Sequence, residues 1–179
     1  MEGVQTNGEE QGQQEEAAPL SDQDKDVIQD TWAVVFENGE DAGVAVLTRL
    51  FVKFPSSKQY FKHFKHMEDP EEMAQSTQFR KHAMTVISAI NTLVENIHDA
   101  DKVATVLKRV AKAHALRHKV APGYFKILGG VILEVLVEAF PDTFLPTEVQ
   151  GAWSKLMGVL YTSVSAVYAE LGWVDHQPH

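Results

Sequence analysis

The stretch Val103 to Val120, VATVLKRVAKAHALRHKV, decides how the chain is read. Val103, Val106, Leu107 and Val110 recur at three- and four-residue spacing, so they share one helical face. One more step of four along that stripe reaches His114. An imidazole in line with an apolar face is cut off from water, and it is stable there only if its ring nitrogens have partners. Two readings are open on this stretch: a core histidine hydrogen-bonded to a carbonyl, or an imidazole that gives its lone pair to a metal.

Upstream, Ser76 is a candidate cap for a helix whose stripe runs Phe79, Ala83, Val86, Ile90, Leu93 and Ile97. His82 lies on that face, three residues after Phe79 and four before Val86. The two inward histidines are 32 residues apart, on consecutive helices joined by a turn near His98 to Asp101. Helices joined so closely tend to run as neighbours in opposite directions, which would bring both imidazoles to one cleft. A planar iron macrocycle would fit there, with one imidazole on each face. The chain has no Cys, so haem ligation is limited to His, Met or Tyr, and covalent attachment through C-x-x-C-H is excluded.

Other metal readings compete. His114 and His118 are a helical pair that could chelate zinc, but no third ligand and no H-E-x-x-H accompany them. Glu95 and His98 form a Glu-x-x-His of the di-iron kind, but that chemistry needs two such motifs and one is present. His63 and His66 alternate with Lys62 and Lys65 and read as surface residues. There is no G-x-S-x-G elbow, phosphate loop or dinucleotide fingerprint.

The 179 residues are 44% hydrophobic, enough for one domain with a sizeable core. No apolar run is long enough to span a bilayer, and the first residues lack the basic and apolar blocks of a secretory signal. A cytoplasmic protein is the expectation. Five acids and no Lys or Arg fall in residues 1–19, a segment read as a disordered acidic tail. The net charge of −9 argues against nucleic acid as a partner, because phosphate binding needs a concentrated basic patch.

From Ser21 onward the chain reads as helices. Val27, Ile28, Trp32, Val35 and Phe36 form a first stripe, broken at Asn38-Gly39. Val44, Leu47, Leu50, Phe51 and Phe54 form the next, which Pro55 ends. Residues 55–75 read as an irregular connection, with Tyr60, Phe61 and Phe64 placed to wedge against something flat and apolar. Pro122 opens an apolar helix through Phe125 and Leu128 to Phe140. Thr147 to Gln150 reads as a capping box for the last helix, which Gly172 ends, and residues 175–179 read as frayed. The expected fold class is all-α, with six to eight helices in a domain over residues 20–174.

Several stretches together resemble the globin family, and within it the vertebrate cytoglobins. They are FPSSKQYFKHFKHMEDPEEM at 54–73, FRKHAMTV around His82, NTLVENIHDADKV at 91–103, KAHALRHKVAPGYFKIL at 112–128 and GWV at 172–174. The resemblance implies a globin fold around a non-covalent haem b. It implies His114 as proximal iron ligand and His82 as distal residue, with both bound to iron in the resting protein. Phe61 would stack on the haem beside Phe64. Leu47 and Val86 would wall the distal side, and Val110, Val120, Phe125 and Leu128 the proximal side. Lys81, Thr85 and His118 would stand near the propionates, although cytoglobins often carry a basic residue where Thr85 is.

The resemblance further implies binding of oxygen, nitric oxide, carbon monoxide and nitrite. It implies nitric oxide dioxygenase activity driven by an external electron donor or reductase, with nitrite reduction, peroxidase and superoxide removal as further oxidoreductase reactions. Oxygen storage, transport or sensing with little turnover is the alternative. A homodimer and an additional nuclear location are also expected of the family. The cysteine pair that cytoglobins often carry is replaced here by Gly39 and Met84, so their thiol switch does not transfer.

Overall fold

The computed structural model describes residues 19–173. Residues 1–18 of the tail read over 1–19, and the fraying read over 175–179, lie outside them. The described residues form α1 (Asp22–Phe36), α2 (Gly39–Lys53), a 3₁₀ helix (Pro55–Tyr60), α3 (Pro70–Gln75) and α4 (Thr77–Glu95). Then come α5 (Ala100–Lys112), which runs on as a π-helical turn (Ala113–His118), α6 (Gly123–Ala139), α7 (Pro141–Phe144) and α8 (Thr147–Glu170). No strand occurs among the described residues.

Local chemistry sets most of the boundaries. Ser21 and Asp24 form a reciprocal capping box, both bonds 3.0 Å, at the start of α1. Ser76 Oγ accepts from Phe79 N at 3.1 Å, and Asp99 Oδ1 from Lys102 N at 3.2 Å, starting α4 and α5. The last helix ends in a Schellman motif. Gly172 has φ +72°, and Trp173 N and Gly172 N each donate at 3.0 Å, to the Tyr168 and Ala169 carbonyls.

Three expectations are corrected. The capping box at Thr147 does not form. Pro146 takes the cap position, its carbonyl accepts from Val149 N and Gln150 N at 3.1 Å, and Gln150 Nε2 turns to Leu145 O at 3.0 Å. The connection over 55–75 is not irregular throughout, because Pro55 starts a 3₁₀ helix and Asp69 caps α3. Finally, α4 and α5 are not close neighbours. Helix α4 packs chiefly on α2 and α5 on α8, while α6 touches both α2 and α8. The two histidine-bearing helices are thus held by different partners.

The core is built on Trp153, Phe51, Phe79, Phe144 and Ile28, all fully buried. Its buried polar atoms are mostly satisfied. Trp153 Nε1 donates to Thr31 Oγ1 at 2.8 Å, and Thr31 donates in turn to Val27 O at 2.7 Å. Arg49 joins α2 to α6 through Glu134 at 3.0 Å and Glu138.

The α2–α4 crossing depends on Gly43. A Cβ there would lie 2.7 Å from Ala83 O and 2.8 Å from Ile87 Cγ1, and the backbone atom cannot yield without moving the helix. Gly130, in the interior of α6, has nothing within 4 Å of a built Cβ. Gly43→Ala should destabilise the fold by about 2–3 kcal/mol through overpacking. Gly130→Ala should stabilise it by about 0.5–1 kcal/mol through helix propensity. Urea unfolding of both variants checks the pair, and equal effects would contradict the close approach.

Candidate functional site

His114 stands in the second position of the π-helical turn that follows α5. Its Nδ1 lies 2.8 Å from Val110 O. A carbonyl can only accept, so Nδ1 carries the proton and the lone pair of the neutral ring sits on Nε2. Burial pushes the His114 pKa below the ordinary histidine value, against a smaller opposing effect of the Val110 bond; nearby His118 adds to the lowering. The ring is thus a neutral base, oriented by a backbone carbonyl.

The chain around it is pinned. Val120 N donates to His114 O at 2.9 Å, and Tyr168 Oη donates to Val120 O at 2.7 Å. Between them Lys119 adopts φ +57°, a left-handed conformation that costs a non-glycine residue about 1 kcal/mol. Burial raises the Tyr168 pKa to about 12, which keeps the phenol protonated as a donor. Phe125 meets the His114 ring edge-on at 5.1 Å.

On α4, His82 is half-buried. Phe61 meets its ring edge-on at 5.1 Å, and Phe64 lies 5.9 Å away. Desolvation lowers its pKa first, and the charges of His114 and His118 lower it further, so the three imidazoles share one region. A cleft of about 430 Å³, mouth included, is lined by Leu50, Ser57, Tyr60, Phe61, His114, Val120, Tyr124, Phe125 and Leu128. Phe61 belongs to both groups, lining the cleft and touching His82.

The comparisons with known proteins agree with this geometry. The globin family model matches residues 44–164. The chain belongs to the globin family. Cytoglobin-1 of Danio rerio is 59% identical over 154 residues, covering 86% of this chain and 88% of the relative. Cytoglobin-2 of the same fish is 55% identical over 174 residues, 97% of this chain and 96% of the relative. Globin-1 of Mordacia mordax is 31% identical over 151 residues, 84% of this chain and 94% of the relative. Within its family the chain is therefore cytoglobin-like, with an all-α globin fold.

Globin membership implies a haem. The residues present fit one: the cleft is walled mostly by apolar side chains, and His114 brings it a neutral imidazole with a lone pair on Nε2. Ser57 Oγ on the cleft wall is buried with no hydrogen-bond partner. Among the described residues no three His, Asp or Glu side chains are grouped to hold a bare metal ion. Neither the His114–His118 pair nor Glu95 with His98 thus gains further ligands.

Of the residues singled out in the sequence, Phe61, His114, Val120, Phe125 and Leu128 line the cleft. Val110 acts through its carbonyl. Leu47 and Phe64 are buried in the core, and Val86 is half-buried one turn beyond His82. Lys81, Thr85 and His118 are exposed, with the His118 ring 5.6 Å from that of His114. His63 and His66 are exposed, as read. Leu50, Ser57 and Tyr124 were not singled out as site residues, whereas Tyr60 was read with Phe61 and Phe64 as wedging against something flat and apolar. The crowding of aromatics at 60–64 is the signal that marked Tyr60.

In the haem-free protein His114 should titrate below the ordinary histidine value, with the proton on Nδ1 when neutral. The sign follows from linkage: the unfolded chain binds the proton more readily. The stabilising contribution is then present above the unfolded value of about 6.5 and is lost as pH falls. Nitrogen-15 NMR of the imidazoles checks both points. A neutral ring protonated on Nε2 would contradict the geometry.

Proposed function

We propose that this globin holds one haem b non-covalently through His114 and uses it to bind oxygen and nitric oxide. We further propose that it joins nitric oxide to dioxygen to give nitrate, with dioxygen as the oxidant and source of both added oxygen atoms and an external donor supplying the one electron that restores the ferrous iron. The observation that carries the reading is the Val110 O–His114 Nδ1 bond, because it leaves the Nε2 lone pair for iron and raises the ring's basicity. The haem supplies the redox-active iron. The chain's own part is to bind, orient and dry the site.

His114 is the proximal ligand in this reading, and His82 the distal imidazole. Its half-burial against Phe61 and Phe64 favours a neutral ring, able to donate from one nitrogen and to coordinate through the other. Phe61, Phe125, Leu128 and Val120 line the cleft and would keep water from a haem held there, and Leu47, Phe64 and Val86 would wall its distal side. Lys81, Thr85 and His118 are exposed, and in this reading they would stand near the propionates. Carbon monoxide and nitrite would bind the same iron, and nitrite reduction, peroxidase and superoxide removal would draw on the same redox couple. A cytoplasmic location and a homodimer complete the proposal. No helix of the described residues is long and apolar enough to cross a membrane.

As a resting ligand His82 is tethered, so it competes with gas ligands at high effective concentration. Apparent gas affinity would then fall with the fraction of molecules in which the His82 side chain stands clear of the site. His114→Ala should lose stable haem incorporation, read from the visible spectrum. His82→Leu should keep haem, give a five-coordinate ferrous spectrum and take up carbon monoxide much faster. Nitrate formed from nitric oxide under turnover with a reductant tests the enzyme reading. Reversible oxygenation with slow re-reduction and little nitrate would favour storage or sensing instead. Normal haem content in His114→Ala would overturn the ligand assignment.

A further inference from the structure

Two walls meet at one edge of the cleft. One is the 3₁₀ helix Pro55–Tyr60, which packs on α2. The other is the entry to α6, a helix that packs on α2 and α8. Little backbone packing joins the walls directly, and the seam is made by side chains. Ser56 Oγ and Tyr124 Oη lie 2.7 Å apart in a hydrogen bond between hydroxyls 68 residues apart in sequence. The Tyr124 and Tyr60 rings meet edge-on at 5.2 Å, and Ala121 N donates to Tyr60 Oη at 3.4 Å. Tyr60 and Tyr124 line the cleft, and each is followed in sequence by a phenylalanine, Phe61 and Phe125, that lines it too.

We propose that the Ser56–Tyr124 hydrogen bond is a strap across the edge of the cleft that sets how fast haem leaves it. The inference rests on the haem reading above. The chain has no cysteine through which the C-x-x-C-H type of attachment could hold the group. Retention then comes from the His114 bond, from apolar burial, and from the walls staying together. A rigid macrocycle cannot pass an edge whose two sides are tied, so the tie must break before departure. Its small equilibrium stability therefore enters the dissociation rate in full. Tyr124 and Ser56 act as positioning residues, since they hold the walls.

The test uses the full haem-loaded chain and an excess of a haem-free acceptor globin, with haem transfer followed in the visible spectrum. Tyr124→Phe keeps the ring and removes the hydroxyl, and Ser56→Ala removes its partner. Each should lose haem roughly two- to ten-fold faster, the range that one net hydrogen bond supports. The double variant should be no faster than the singles, because both remove one bond. Tyr161→Phe, which removes an α8 hydroxyl that takes no part in the Ser56–Tyr124 bond, should leave the rate unchanged. Helix content of the haem-free variants should match the parent, and their unfolding midpoints should fall by no more than the roughly 2–4 °C that one hydrogen bond accounts for; a larger fall would show a general structural role and overturn the strap. Parent-like transfer rates, or effects that add in the double variant, would overturn the strap and leave the haem reading intact. A parent chain that takes up no haem would overturn both.

Discussion

Helix α4 can rest on α2 only because residue 43 has no side chain. The Ala83 carbonyl fills the space where a Cβ would be, and Ala83 is the residue after His82. The depth of that crossing therefore sets the depth of His82. The same face of α4 carries Phe79, whose ring meets Phe51 of α2 edge-on at 5.8 Å, and Phe64 then meets Phe79 edge-on at 5.4 Å. Phe61 closes the row, 5.0 Å from Phe51 and 5.1 Å from His82. A single backbone contact is thus transmitted through four rings to the imidazole, since close-packed side chains cannot absorb a shift individually.

The other imidazole is positioned by hydrogen bonds rather than by packing. His114 lies where α5 widens into a π-helical turn, and such turns gather at functional sites because they re-aim a side chain without ending the helix. The Val110 carbonyl chooses the tautomer, and the Tyr168–Val120–His114 chain of bonds holds the turn to α8. The left-handed backbone at Lys119 is a small strain retained beside the site, and the Tyr168 bond to Val120 holds that corner in place. Since α4 is seated on α2 and α5 on α8, the two imidazoles arrive from separately anchored parts of the core. The space between them does not depend on how α4 and α5 pack together.

Much of this is legible in the sequence, and what is not has physical reasons. Helical period reveals which residues share a face, so His82 and His114 were readable as inward. Side-chain caps are local, so Ser21 and Ser76 were readable as helix starts. Period does not reveal a partner, so the stripe could not choose the Val110 carbonyl over a metal for His114; both nitrogens turn out to be available for different tasks. Loop length shows that α4 and α5 are consecutive but not whether they pack, and Gly43 seats α4 on α2 instead. Thr147 failed as a cap because Pro146 was already in place. The cleft walls at Ser57, Tyr60 and Tyr124 meet only through the tertiary fold, and no local pattern joins residues so far apart. The individual haem contacts came from family resemblance, not from spacing.

The resemblance implied that the cysteine pair of cytoglobins falls at Gly39 and Met84, and the packing at these two positions shows what joins α2 to α4 in this chain. A Cβ built on Gly39 would lie 3.0 Å from Ile87 Cγ2 and 3.8 Å from Met84 Cε. Gly39 opens α2 and Met84 lies two residues beyond His82, so a bridge at these positions would tie the start of α2 to α4 beside the distal imidazole. In this chain the same junction is an apolar contact of a glycine with Ile87 and a flexible methionine. Such a contact resists separation through burial, but it has no covalent bond to make or break. The seating of α4 therefore cannot be switched by thiol reductants. It is governed by packing at Gly39, Gly43, Ala83 and Ile87, and by the ion pairs of Arg80 on α4 with Glu40 and Asp41 on α2, both 2.6 Å. Among those contacts the Gly43 crossing is the one with no slack, which makes it the point from which the position of His82 is controlled.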